Sequence, residues 1–435
     1  MATQEDWLRL APKPANLPPG VKWHIFLSYR SVERSWVLSL YDTLVRLGYE
    51  AFMDQFVLTA ASNLLRTLEE NLNASEAGIL VWSPRSEDSA WCQEEYDTFV
   101  TKQKHGGFRF VVARIRNSTL PPFAANKVWV DFTEQREGPS GAELLRLLYG
   151  LQHQPLPKEA VKLATSIEEE TQRALARIRA ATDDQDKDKL VKMSQSTHVA
   201  WRSSHLLPCA CAQALVSIGA HPEALALLDT VIGEYPKGLR PQQLRGLALA
   251  RAGRWREAKP VLGELYQLGE RDTETMGLYA RTWMDAYRTS GNELHLRRSR
   301  DLYAEAFEAS PSTYYVGINA AAKSILLNEL DVADAFAKRV QDIVGTKSVP
   351  NDYWRSATVA EVQLMQRQFL KAAGLYSQAL AGSPGLIDDH RSTQRQVVDL
   401  LGHLEATDSE AALILAAFSH LGADPGDPAP PALGE

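Results

Sequence analysis

Between residues 24 and 151 short apolar runs alternate with helical patterns, and this alternation limits what the chain can fold into more than any other feature. The runs His24 to Tyr29, Ala51 to Asp54, Gly78 to Trp82, Arg109 to Ile115 and Val128 to Phe132 predict strands. The segments Glu33 to Leu47, Ser62 to Leu72, Ser89 to Lys104 and Gly141 to Leu151 predict helices. In the first helix Trp36, Leu40, Leu44 and Leu47 recur at three- and four-residue spacing, which makes one buried face. Strands rich in Ile, Val and Phe, joined by such helices, predict parallel βαβ units with helices on both faces of one sheet. In that doubly wound α/β arrangement ligands sit beyond the carboxyl ends of the strands. The segments following Tyr29, Asp54 and Trp82 are therefore where chemistry is expected.

The chain of 435 residues is too long for one core. Its first 21 residues include Pro12, Pro14, Pro18, Pro19 and Gly20, a leader that cannot be helix or interior strand. Residues 22–152 form the α/β domain of this reading. Residues 153–204 read as a helical linker, with a break at Asp183 and Asp184. Residues 205–402 repeat at roughly the 34-residue period of tetratricopeptide helix pairs. The clearest unit carries Gly246, Leu249, Gly253, Trp255 and Ala258. Others carry Gly219, Ala224 and Pro236, or Ala360, Phe369, Ala372, Tyr376, Ala379 and Pro384; partial copies hold Tyr303, Ala306 and Pro311, or Ala321 and Ala333. One such repeat cannot bury its own apolar face, so the pattern predicts an all-α solenoid of roughly five repeats. Residues 403–435 are expected to add a capping helix near Ala411 to Leu421 and a disordered Pro/Gly-rich tail.

Forty-seven basic and 54 acidic residues give a net charge of -7, which does not point to nucleic acid as a partner. Cys92, Cys209 and Cys211 are too few for a disulfide framework, and Cys-x-Cys without paired histidines is a poor zinc signature. No uninterrupted apolar stretch of about eighteen residues occurs, so neither a membrane span nor a signal segment is expected and the location is read as cytoplasmic. The absence of Gly-x-Gly-x-x-Gly, Walker and His-Glu-x-x-His motifs disfavours a dehydrogenase, an NTPase and a zinc hydrolase.

Three places in the α/β segment carry a resemblance. They are His24-Ile25-Phe26-Leu27-Ser28-Tyr29-Arg30 on the first strand, Phe52-Met53-Asp54 on the second, and Ser89-Ala90-Trp91-Cys92-Gln93-Glu94-Glu95 opening a helix. In this order and on these elements they resemble the TIR domain (Toll/interleukin-1 receptor). The resemblance implies a flavodoxin-like parallel sheet, here followed by a TPR-like solenoid. Enzymatic members of that family cleave NAD at the nicotinamide–ribose bond with a glutamate four residues after the tryptophan, which here is Glu95. A carboxylate suits the reaction because bond cleavage leaves positive charge on the ribose.

Helical spacing bears on the same choice. Glu95 lies one turn after Trp91 and one before Phe99, whereas Glu94 aligns with Asp97, Thr98 and Thr101 on the solvated face. The competing reading of Glu95 is a carboxylate near the positive end of its helix, and that of Trp91 is an ordinary core residue. Tyr29 and Arg30 follow the first strand, where the arginine either meets the diphosphate of NAD or makes a surface salt bridge. Cys92, aligned with Tyr96 and Val100, reads as packing. The resemblance implies that the loop Gln55 to Ser62 shapes the pocket, with Phe56 against the nucleotide. This chain reads Leu58-Thr59-Ala60-Ala61-Ser62 where many relatives have Pro and Gly.

The architecture resembles bacterial TIR immune effectors with helical-repeat sensors. It implies an NAD-cleaving enzyme of innate immunity and antiphage defence. NAD is then substrate and no cofactor is needed; activity follows TIR self-association, and the repeats take an unknown ligand or protein. The other reading is a non-catalytic adaptor that works through TIR–TIR and repeat-mediated contacts.

Overall fold

The computed structural model describes residues 7, 9–54, 64–87, 89–120, 129–135 and 138–421. They divide into two compact units. The first comprises residues 1–177, 192–211 and 227–241; the second comprises 178–191, 212–226 and 242–435.

The first unit is built on a five-stranded sheet: β1 (Trp23–Ser28), β2 (Ala51–Phe52), β3 (Ser75–Trp82), β4 (Arg109–Arg114) and β5 (Trp129–Asp131). All neighbours pair in parallel in the order β2-β1-β3-β4-β5. The helices between and beyond them are α1 (Arg34–Arg46), α2 (Leu64–Asn73), the single turn α3 (Pro84–Glu87), α4 (Ala90–Lys104) and α5 (Gly141–Leu151). Alternation along each strand gives the sheet two apolar faces. Phe26, Leu80 and Phe110 pack on one side with Phe99 and Tyr96 of α4. Trp36, Leu40 and Leu44 of α1 and Leu144 and Leu148 of α5 are also buried, each 3% exposed or less.

Some limits differ from the periodicity. The second strand is two residues long instead of four, because β2 is an edge strand held only by β1 through Ile25–Ala51 and Phe26–Phe52. The third strand starts three residues earlier than predicted, since Ser75 pairs with Trp23 although it is polar. Glu33 belongs to a 3-10 turn (Ser31–Glu33) ahead of α1 and is 3% exposed. Its carboxylate accepts from Arg116 Nε at 3.2 Å.

Beyond α5 come α6 (Lys158–Asp183), α7 (Lys187–Ser194), α8 (Leu206–Ser217) and α9 (His221–Glu234). Within the first unit α1 is tied to residues 205–237. Ser39 Oγ and His205 Nε2 lie 2.7 Å apart, and Asp42 accepts from the Lys237 backbone N–H at 2.9 Å.

The second unit is helical. Its successive pairs include α10 (Leu239–Arg251) with α11 (Trp255–Gln267), α12 (Thr273–Ser290) with α13 (Glu293–Ala309), α14 (Tyr314–Leu326) with α15 (Leu330–Val344), and α16 (Tyr353–Met365) with α17 (Phe369–Ala381). Then follow α18 (Ile387–Leu401), α19 (Asp408–Leu415) and a 3-10 segment (Ala416–Leu421). The small residues of the repeat pattern sit at the helix crossings. Ala258, Ala306, Ala321, Ala360 and Ala372 are 0% exposed. A Cβ on Gly246 would lie 2.6 Å from the Leu262 side chain, so this glycine permits the close approach. Among the described residues no helix is long and apolar enough to cross a membrane, and no group of three or more His, Cys, Asp or Glu side chains is placed to hold a metal. The tail from Asp424 to Glu435 lies outside the described residues.

Candidate functional site

The strand order reverses between β1 and β3, and the crevice beyond their carboxyl ends is the natural ligand position in such a sheet. Ser28 ends β1 and is 2% exposed. Glu95 sits in the second turn of α4, half-buried, and its Oε2 accepts a hydrogen bond from Ser28 Oγ at 2.7 Å. Glu94, its neighbour, is exposed. The helix is aimed by its own start: Ser89 caps α4 and accepts from the Cys92 N–H at 3.3 Å.

Arg30 donates from Nη1 to the same Ser89 Oγ at 3.0 Å, so the residue after Tyr29 reaches the amino end of α4. Among the described residues its Nε is buried without a hydrogen-bond partner, as is the Oγ of Ser83, which follows β3. Tyr29 donates to Asp54 Oδ1 at 2.5 Å and thereby ties the end of β1 to the end of β2. Burial, reinforced by the Asp54 carboxylate, raises the Tyr29 phenol far above its ordinary range, so it stays protonated.

Cys92 is 0% exposed, and burial pushes its thiol up, which leaves it a packing residue. Trp91 stands in the first turn of α4 with its side chain outside the described residues. Phe56 and the stretch 55–62 also lie outside them.

The structure thus brings Ser28, Tyr29, Arg30, Asp54, Ser89 and Glu95 to one edge of the sheet. Ser28, Asp54 and Ser89 were not picked out from sequence as site residues. The signal for Ser89 was its place at a helix start, where Ser caps are common. Ser28 and Asp54 stood within the motifs that carry the resemblance and at strand ends, but no role was read for either. Chemically, the edge offers a fixed carboxylate, oriented by a buried hydroxyl, with a guanidinium one hydrogen bond from the same helix terminus.

Residues 25–148 match the family model described as TIR domain. Residues 210–326 match the model described as Tetratricopeptide Repeats-Sensor. The chain therefore carries a TIR domain followed by tetratricopeptide sensor repeats. Among curated proteins it is similar to the NAD(+) hydrolase TcpA of Theionarchaea archaeon (strain DG-70-1), with 27% identity over 99 residues. That match covers 22% of this chain and 30% of the relative's length. Among solved structures a thermophilic TPR protein of Thermus thermophilus is 17% identical, with a TM-score of 0.37, covering 45% of this chain and all of that one.

Proposed function

We propose that the TIR domain cleaves NAD at the bond between nicotinamide and ribose, with Glu95 as the catalytic carboxylate. The observation that carries this reading is the Ser28–Glu95 hydrogen bond at the β1/β3 crevice. As the bond between the nicotinamide nitrogen and the ribose carbon breaks, its electron pair leaves with the ring, which becomes neutral, and the sugar becomes cationic. A carboxylate already fixed by a buried donor meets that charge without reorganising. Water or an internal hydroxyl then adds to the cationic carbon and loses a proton, giving a linear or cyclic ADP-ribose product.

Arg30 suits the diphosphate, because its buried Nε has no hydrogen-bond partner among the described residues and its Nη1 is already positioned by Ser89. The unpartnered Ser83 hydroxyl is a second polar group at this edge. Likeness to an NAD hydrolase over 99 residues supports the substrate. In this reading the repeats sense a ligand or protein, TIR domains self-associate in response, and the chain acts as an immune effector in the cytoplasm.

The experiment is NAD consumption by full-length protein over a wide range of protein concentration, beside Glu95→Gln, with chromatography of products. Nicotinamide release that steepens with concentration and is lost in Glu95→Gln supports an assembly-gated hydrolase. Equal turnover by both proteins removes Glu95 from the role. No turnover at any concentration, with the folded protein still pairing through its TIR domain, favours a non-catalytic adaptor.

A further inference from the structure

At the end of the sheet opposite Ser28 and Glu95, the residues that open the strands enclose a cavity of about 240 Å³. Its walls come from three stretches of the first unit: the amino ends of β1, β3 and β4, the carboxyl end of α5 with the residues just after it, and Lys13 to Ala15 of the leader. The eight residues of β3 span about 23 Å, so this cavity is remote from the β1/β3 crevice. It is smaller than the about 300–1,000 Å³ of cavities that enclose drug-sized molecules, and a dinucleotide does not fit.

The leader closes this end because side chains collect its carbonyl groups. Pro12 and Pro14 have no N–H to give a sheet, so the segment cannot join one as an inner strand. Tyr149 donates to Leu10 O at 2.7 Å, Tyr49 to Pro12 O at 2.7 Å, and Gln152 to Lys13 O at 2.8 Å. His24 Nε2 lies 2.8 Å from Ala15 O, while its Nδ1 accepts from the Glu50 N–H at 2.9 Å. The proton is therefore on Nε2 and the ring is neutral.

These bonds occupy the polar atoms of His24 and Tyr49 and the amide nitrogen of Gln152. Tyr49 also accepts from Gln152 at 3.1 Å, and burial pushes its phenol up to about 12, so it stays uncharged. The charged groups left in the lining are Lys13, Glu76 and Arg109. Glu76 and Arg109 are half-buried at the starts of neighbouring strands, with 3.9 Å between carboxylate and guanidinium, too long for a hydrogen bond. Among the described residues no hydrogen bond reaches either of these two groups or the Lys13 ammonium.

A carboxylate and a guanidinium held side by side but not joined suit a ligand that carries both charges on one carbon. A phosphate dianion would set its charge against Glu76, and a simple amine would set its own against Arg109 and Lys13. An ammonium at Glu76 with a carboxylate at Arg109 places every charge against its opposite, and Lys13 adds a second cation for the carboxylate. Pro14, Ala77 and Leu151 give the same cavity an apolar wall. We propose that this cavity binds a free α-amino acid with an apolar side chain, held at its ammonium by Glu76 and at its carboxylate by Arg109 and Lys13.

The test is titration calorimetry of the full-length protein with L-leucine, without NAD present. Isocaproate, which lacks the ammonium, and isopentylamine, which lacks the carboxylate, are titrated beside it. We expect L-leucine to bind with a Kd below about 1 mM, and each analogue at least about tenfold more weakly. Glu76→Gln and Arg109→Gln should each weaken leucine binding at least about tenfold, and Lys13→Gln by a smaller factor.

Lys13 is exposed on the leader, so its replacement leaves the fold intact. If either strand variant fails to fold, the analogue series on the wild type decides. Isocaproate binding as tightly as leucine would make this a plain anion site and overturn the proposal. So would unchanged affinity in the folded variants, which would put leucine elsewhere on the chain, or no binding of leucine, isoleucine, methionine or phenylalanine by the wild type. Each readout is independent of the NAD cleavage proposed above, because binding is measured without turnover.

Discussion

Ser28 and Glu95 are 67 positions apart in the chain, and a 2.7 Å hydrogen bond joins the hydroxyl of one to the carboxylate of the other at the carboxyl edge of the sheet. Ser28 is buried, so water does not replace its hydroxyl cheaply. Removing it in Ser28→Ala leaves Glu95 chemically intact but unaimed. A hydrogen bond to a charged group contributes about 1.5–3 kcal/mol. If that contribution is realised in the transition state, kcat for nicotinamide release falls roughly 10- to 100-fold while KM changes little. A loss in KM alone would instead place Ser28 in substrate binding.

The helix that holds Glu95 is positioned from below by Gly78. A Cβ there would lie 2.5 Å from the Phe99 ring and 3.0 Å from Phe108. Phe99 is one turn beyond Glu95 and 0% exposed, so Gly78→Ala displaces α4 from the sheet. Overpacking of this kind costs about 1–3 kcal/mol. We expect a lower thermal midpoint for the TIR domain together with a loss of kcat, and partial recovery of both in Gly78→Ala/Phe99→Leu. Melting curves and NAD turnover on the same preparations check this.

Strand and helix placement was legible because it rests on local apolar spacing. Where spacing failed, pairing had decided: Ser75 joins β3 through Trp23, and β2 stops at Phe52 because it has one neighbour. The choice of Glu95 over Glu94 could be argued from helical facing, and the two differ in exposure accordingly. Ser28 and the Tyr29–Asp54 link were not legible, since apolar spacing does not record which side chains meet at the strand ends. The environment of α18 was hidden for the same reason. Its partners Arg251, Arg281 and Arg288 are 137, 111 and 111 residues away, and by periodicity alone α18 reads as one more amphipathic helix.

Asp42 predicts a pH dependence of stability. It is 3% exposed, and burial raises its carboxyl to about 6, although hydrogen bonds from the Lys237 and Gly238 backbone oppose the shift. A carboxyl that binds its proton more tightly when folded contributes stability that is fully present below the unfolded value of 3.8 and is lost as pH rises through about 6. Asp42→Asn cannot ionise and removes this slope. Relative to wild type it should gain stability between about pH 4 and about pH 7, by up to roughly 3 kcal/mol. Urea titrations followed at α1 by hydrogen exchange, at both ends of that window, measure the difference. A gain that does not grow with pH would show that Asp42 is not the titrating group.

Gly385, just before α18, lies close against another stretch of backbone. A Cβ added there would meet the Thr182 carbonyl oxygen at 2.2 Å and Asp183 Cα at 2.7 Å, at the end of α6. Because these are main-chain atoms, no rotamer change relieves the clash, and either Gly385 or the last turn of α6 must move. Asp388 and Asp389 follow within one turn, so the shift carries them away from Arg251. Gly385→Ala should therefore raise hydrogen exchange at the first turn of α18 well before that of α14, and should weaken Arg251 pairing. In Gly385→Ala the further change Arg251→Met should cost less than the about 3–5 kcal/mol expected when the same guanidinium is removed from the intact pair. Equal costs in the two backgrounds would mean that α18 keeps its place despite the added methyl, and that the contact with α6 does not set its position.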